Sequence, residues 1–375
     1  KLGIDPVQLR LINHADTDPD TKLPWSTKLL KESYKVGAEA FGWARRKPQP
    51  ASMRDGHFLV GMGMATAVYP VNHFPSSARV RIQADGSAIA ESSTHDLGTG
   101  TYTVLTQIAC ETLGLAPERV EVIIGDTNLP KAMVSGGSST VMSVGSSIQG
   151  AARAALAKLI DAARADNRSP LYGASADQII AHDGRLALKS NPAKGETYKD
   201  ILTRARMREV EGNYDTEFND KEKKFSSHAF GAHFAEVRVD PDFGEVRVTR
   251  YNAVFDMGRV MNMKTGQSQM KGGIIMGIGM ALMEATVLDT NLGVIVNRDL
   301  AEYHVPINAD VPPIDVVLLE NFDEHASPIG AKGAGEIGIV GAAAAISNAV
   351  YHATGVRVRD LPVTPDKLIG KGALR

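Results

Sequence analysis

AHFAEVRVDPDFGEVRVTRYNAVFDMGR, from Ala232 to Arg259, alternates apolar and polar residues on both sides of Pro241-Asp242-Phe243-Gly244 and breaks at Asp256-Met257-Gly258. Period-two alternation about a Pro/Gly turn predicts a β-hairpin. The glycine-rich apolar run that follows predicts a helix from about Gln269 to Leu288. The same order stands earlier in the chain. SARVRIQA (Ser77 to Ala84), the turn Asp85-Gly86 and SAIAESST (Ser87 to Thr94) form a hairpin, followed by DLGTGTYT (Asp96 to Thr103) and a helix from about Val104 to Leu113. Both places set Asp-x-Gly between strand and helix, with a glutamine soon after, Gln107 and Gln269. Asp-x-Gly is also common turn chemistry, so the repeat rests on the shared order of elements. The expected fold class is α+β, two related lobes of β-hairpins and helices that arose by duplication.

Outward from the hairpins, GHFLVGMGMATAVYP (Gly56 to Pro70) reads as a further strand, and the first forty residues read as helical, with Asp5 as cap and Pro6 at the first helical position. A second helical segment starts at Trp25-Ser26 and runs to about Arg46. Between the lobes, Gly145 to Ala165 predicts an alanine-rich helix, and Arg204 to Lys224 is dense in charges of both signs. Such a run reads as a solvated loop or face, or else as a docking surface. GAAAAISNAVYHA, closed by Gly355, predicts a last helix. The expected division is a helical lead-in over 1–50, a first lobe over 51–200 and a second over 201–375.

The 375 residues allow two or three domains and a large core. Lys plus Arg (41) nearly balance Asp plus Glu (43), so no basic field points to a nucleic-acid partner. A single cysteine, Cys110, excludes a disulfide framework and any multi-cysteine zinc or iron-sulfur site in this chain. The longest apolar run, Gly272 to Met283, is shorter than the roughly 18 to 20 residues of a membrane span. The opening at Lys1, with no targeting segment before it, reads as a piece of something longer and leaves the compartment, cytoplasmic or periplasmic, open.

Three segments can carry chemistry. In DLGTGTYT, closely spaced glycines bare backbone N-H groups beside the Thr99, Thr101 and Thr103 hydroxyls at a helix start, which suits an anion or serves as a plain strand-to-helix turn. Ser135-Gly136-Gly137-Ser138-Ser139-Thr140 runs through Val141-Met142-Ser143 into the helix expected at Gly145, and reads equally as a phosphate site or a flexible loop. Gly330-Ala331-Lys332-Gly333-Ala334-Gly335-Glu336-Ile337-Gly338 places one acid among glycines ahead of an apolar helix, with Lys332 as the cation at hand. Glu336 there is either a favourable charge for the helix dipole or, if buried, a general base of raised proton affinity. No metal-ligand set emerges: His228 and His233 are five apart on an expected strand and point to opposite faces.

Taken in order, LGIDPVQLR, DLGTGTYT, GGSSTVMSVGSSIQGA, DMGRVMNMKTGQSQMKGGIIMGIGMAL, EYHVPINADVP and GAKGAGEIG resemble the molybdenum-binding subunit of the xanthine oxidase family, the molybdenum hydroxylases that include bacterial aldehyde oxidoreductases. The match spans nearly the whole chain and is similar to the C-terminal half of that subunit. The resemblance implies a molybdenum-molybdopterin cofactor, in its cytosine dinucleotide form, held without direct protein ligands to the metal. It places Gly98, Thr99, Gly100, Thr140, Val141, Met142, Ser143, Gly258, Arg259, Val260, Met261, Asn262, Gln269, Lys332, Gly333, Ala334 and Gly335 around that cofactor and makes Glu336 the catalytic base. It further implies hydroxylation of an aldehyde or N-heterocycle with water as oxygen source, iron-sulfur clusters and FAD on partner chains, and a complementary N-terminal half. The other reading is a catalytically silent cofactor-binding or assembly fragment. Thr99 stands where many relatives have Gln, Ser268 where Gly is usual, and Met276 where Gln is common.

Overall fold

The computed structural model describes residues 2–216 and 224–374. The first part of the chain forms α1 (Pro6–Ile12), α2 (Leu30–Phe41), β1 (Arg54–Asp55), β2 (Phe58–Pro70), β3 (Ser76–Gln83), β4 (Ala88–Glu91), α3 (Thr101–Leu113), β5 (Val120–Ile123) and α4 (Thr140–Ala165). Then come β6 (Ile179–His182), β7 (Arg185–Leu188), β8 (Asn191–Thr197), α5 (Tyr198–Ala205), β9 (Glu209–Thr216), β10 (His228–Val239) and β11 (Val246–Asp256). The chain continues through α6 (Met263–Leu282), β12 (Leu288–Asp289), β13 (Val294–Ile295), β14 (Ile314–Leu319) and α7 (Ala342–Thr354).

Local signals act as expected. The Asp5 carboxylate accepts the N-H groups of Val7 and Gln8 to start α1 behind Pro6. The two hairpins form, β3 with β4 around Asp85-Gly86 and β10 with β11 around Asp240 to Gly244, the latter with a bulge at Glu236/Val237. Three helices start earlier than expected: α3 begins at Thr101 rather than about Val104. α4 begins at Thr140 rather than Gly145, and α6 spans Met263–Leu282 rather than Gln269 to Leu288, because the Asn262 side chain caps it by accepting the Thr265 N-H.

The described residues divide into two compact units: Lys1–Pro70, Lys224–Asn321 and Ala334–Arg375 make the first, Val71–Lys223 and Phe322–Gly333 the second. Each unit repeats one plan. In the second, the β3-β4 hairpin leads through α3 to β5, parallel to β4, and then to α4, which packs on β3. In the first, the β10-β11 hairpin leads through α6 to β14, parallel to β11, and then to α7, which packs on β10. The strand before each hairpin is exchanged. β2, which precedes β3 in sequence, pairs antiparallel with β10 from His228↔Pro70 to Val239↔Leu59; β9, which precedes β10, pairs antiparallel with β3 from Ser76↔Thr216 to Gln83↔Glu209. The boundaries expected at residues 50 and 200 therefore differ from the observed units, since a full ladder ties β2 to β10 and the lead-in helix α2 packs on β10 and β11.

The exchanged strands make the cores. On β2, Gly61, Gly63, Ala65 and Ala67 share a face, and α7 lies so close that a Cβ at Gly63 would stand 2.2 Å from Ala345 O and Ala349 N. On β9, a Cβ at Gly212 would stand 2.2 Å from Ala151 O of α4. The alanine-rich helices thus meet glycine-bearing strands backbone to backbone in both units. On the other face of β2 and β10, Met62, Met64, Phe230 and Phe234 bury Tyr34, Phe41 and Trp43 of the lead-in.

The charge run is a strand where a loop was one expectation: over Glu209 to Thr216 it alternates, with Val210, Gly212 and Thr216 buried and Asp215 exposed, while 217–223 lie outside the described residues. No helix among the described residues is long and apolar enough to cross a membrane.

Candidate functional site

Glu336 sits on the loop that leads into α7, and the loop is clamped to α6. Gln269 donates its side-chain Nε2 to Gly335 O at 2.8 Å, Ile337 beside it is fully buried, and a Cβ at Gly273 would stand 2.7 Å from Gly338 C. Only glycine at 273 and 338 allows this approach of helix to loop. Below the loop lies His233 of β10, fully buried, with Nδ1 2.9 Å from the Tyr251 hydroxyl. From the end of β2, Tyr69 donates its hydroxyl proton to Glu336 Oε2. Glu336 itself is exposed, so the burial expected of it is absent here: the glycines face it outward while Ile337, next in sequence, takes the inward position.

The Gly330 to Gly338 segment is shared, with Gly330 to Gly333 in the second unit and Ala334 onward in the first. In the second unit Gly333 packs against the start of α4, where a Cβ would stand 2.7 Å from Ser138 O and 3.0 Å from Met142 Cε. Thr140, Val141, Met142 and Ser143 form the first turn of α4. Of these, Ser143 N already bonds Ser139 O at 2.9 Å, whereas the first N-H groups of a helix have no partner within it. Ser139 donates its hydroxyl to Gly136 O, and Ser143 Oγ accepts from Phe74 N, so these hydroxyls brace the turn. The stretch is thus a loop over 135–139 that leads into the helix start at Thr140.

Lys332 differs from expectation. Its ammonium lies 3.8 Å from Asp323 Oδ2, with both side chains wholly buried. Asp323 also accepts Ala326 N at 3.0 Å. The cation read as the neutraliser of Glu336 is thus paired inside the second unit, because a buried ammonium requires a buried partner.

Gly98, Thr99 and Gly100 form the exposed turn ahead of α3, with open space around the position a Cβ at Gly98 would take. Asp96 Oδ1 accepts Gly98 N at 2.8 Å, so the chain's own carboxylate takes one of the N-H groups read as anion donors. Gly258, Arg259, Val260, Met261 and Asn262 form the matching turn between β11 and α6, where Asp256 Oδ1 is 3.4 Å from Gly258 N. Asp-x-Gly thus makes the same side-chain-to-backbone turn in both units. The one His-carboxylate cluster among the described residues, His57 with Asp240 and Asp242, lies at exposed hairpin turns away from these segments in sequence. The structure adds two residues that sequence reasoning missed, Tyr69 and Asp323; each lies within an unremarkable stretch, and no spacing signals its partner.

Comparison with known proteins places these features in context. A family model described as a molybdopterin cofactor-binding domain matches residues 36–312. The aldehyde oxidoreductase molybdenum-binding subunit PaoC of Escherichia coli (strain K12) is 40% identical over 372 residues, 99% of this chain and 49% of that protein. The putative xanthine dehydrogenase molybdenum-binding subunit XdhA of the same organism is 31% identical over 98% of this chain and 49% of that protein. Among solved structures, quinoline 2-oxidoreductase from Pseudomonas putida 86 superposes with a TM-score of 0.84 at 25% identity, over 98% of this chain and 49% of that one. The chain spans about half the length of the curated relatives it matches.

Proposed function

The chain belongs to the molybdopterin cofactor-binding domain family, and we propose that it is the C-terminal half of the molybdenum-binding subunit of a hydroxylase that oxidises an aldehyde or N-heterocycle with water as oxygen source. The observation that carries the reading is Glu336, exposed on a loop that Gln269 and Tyr69 hold from two sides. Such a fixed, accessible carboxylate suits a general base.

The donor set fits the cofactor at one end. The first N-H groups of the 26-residue helix α4 and the Thr140 hydroxyl are chemistry for a phosphate, as a cytosine dinucleotide form of the cofactor would present. The ammonium of Lys332 is paired with the buried Asp323 carboxylate. When bound, the cofactor supplies two-electron redox chemistry at molybdenum. In this reading Gln269 holds the loop of the first unit at Gly335, and Glu336 takes up the proton released as the oxygen of water passes to the substrate.

Electrons leave through partner chains bearing iron-sulfur clusters and FAD, since one cysteine supports no cluster here. A complementary N-terminal half completes the subunit. Support for it comes from apolar side chains left exposed within the first unit, among them Met276 and Met280 of α6 and Leu300, the last 88% exposed.

Native mass spectrometry with molybdenum and CMP analysis of the purified assembly tests the reading. Stoichiometric molybdenum and CMP, with the chain bound or fused to a second portion of similar size, supports it. A metal-free monomer would favour the alternative, a silent cofactor-binding or assembly fragment.

A further inference from the structure

The face of β2 that α7 covers is made of the smallest side chains, Gly61, Gly63, Ala65 and Ala67, and the next residue of that face is Tyr69. Small residues let α7 lie on the strand, with Gly341 at the helix start packed against Thr66 O, where a Cβ would come within 2.9 Å. One step beyond the helix start the stripe ends and a large ring takes the space. The Tyr69 ring packs on the core cluster shared by β10, β11, α6 and α7, and its backbone is in register with Ala229 of β10. Its hydroxyl reaches Glu336 Oε2. Helix and strand thus hold neighbouring residues: Gln269 of α6 fixes the backbone at Gly335, and Tyr69 of β2 holds the Glu336 carboxylate.

A phenol hydroxyl is a single directional donor that stays neutral across the working pH range and forms a strong hydrogen bond to a carboxylate. Attached to a packed ring on a laddered strand, it limits rotation of an otherwise exposed glutamate side chain. Catalytic groups need such orientation from neighbours whose own positions are locked.

We propose that Tyr69 is a positioning residue for Glu336, orienting its carboxylate for proton transfer from the end of β2. The proposal rests on the reading of Glu336 as the base.

The test is a double-mutant cycle on the complete holoenzyme with Tyr69→Phe, Glu336→Gln and both together. Tyr69→Phe is expected to lower kcat by about tenfold or more, the scale of a hydrogen bond to a charged group, with KM and molybdenum content unchanged. In the Glu336→Gln background the same change is expected to cost nothing further, because a residue acting through Glu336 has nothing left to orient. An independent readout is the tyrosine hydrogen-bond marker in ultraviolet resonance Raman spectra, which Glu336→Gln should shift in the otherwise unchanged protein but not in the Tyr69→Phe variant. Unaltered kcat in Tyr69→Phe, an equal fold loss in both backgrounds, or no Raman shift overturns the proposal while leaving Glu336 as base. Full turnover by Glu336→Gln overturns the base reading and the proposal with it.

Discussion

Lys332 Nζ lies 3.8 Å from Asp323 Oδ2 with neither side chain exposed, across the loop that precedes Glu336. Removing one partner of such a pair strands a buried charge, whereas replacing both with apolar groups of similar size is often close to neutral. Asp323→Ala is expected to destabilise the protein by about 3–5 kcal/mol. The combined Asp323→Leu, Lys332→Met change should recover most of that loss in chemical unfolding. If the combined variant is stable yet loses its cofactor, Lys332 acts on the cofactor after all.

His233 predicts a pH dependence. Its burial pushes the imidazole down to about 3. Above about pH 6.5 the folded and unfolded chains are both neutral at this position. Below it the unfolded chain binds a proton that the folded chain refuses until about pH 3, so this residue makes stability fall on acidification, by about 1.4 kcal/mol per pH unit within that window. Unfolding midpoints taken between pH 7 and 4 check this. A His233→Gln variant should start lower at pH 7 and show a shallower slope; an unchanged slope would remove His233 as the source.

Glycine-to-alanine changes should separate by location. At Gly63 and Gly212 the new Cβ would meet helix backbone at 2.2 Å, so each substitution is expected to cost roughly 3 kcal/mol or more. Gly272 of α6 has nothing within 4 Å of that position, so Gly272→Ala should be neutral or stabilise by up to about 1 kcal/mol. Thermal unfolding of the three variants decides it, and equal effects would contradict the backbone contact.

Much of the fold was legible because its signals are local. Asp85-Gly86, the Asp240 to Gly244 turn, the Asp5-Pro6 helix start and the Gly355 end each act on residues a few positions away. The exchange of β2 and β9 was not legible, since pairing of Tyr69 with Ala229 or Ser76 with Thr216 leaves no mark in either segment. The small-residue stripe on β2 is visible in the sequence, but its meaning depends on the helix that covers it. In the site, glycine spacing marked the segments where the Gly335–Gln269 and Gly333–α4 contacts form. It did not reveal that Asp323 holds Lys332, nor that a tyrosine 267 positions away reaches Glu336.

The start of α4 yields a prediction for cofactor retention. Replacing Ser139 and Thr140 together with Ala removes the hydroxyl that braces Gly136 O and one hydroxyl of the first helical turn. Molybdenum and CMP content should fall while circular dichroism stays the same. Unchanged content would take this helix start out of the cofactor site.

The proposed role of Glu336 is tested most directly by turnover and cofactor content of the Glu336→Gln holoenzyme measured side by side. The substitution keeps the side chain's size, but it cannot accept the proton. Turnover is expected to fall by at least about 100-fold, the scale of a lost general base, with molybdenum and CMP near their wild-type stoichiometry. Wild-type turnover, or loss of the cofactor in place of loss of turnover, would contradict the assignment.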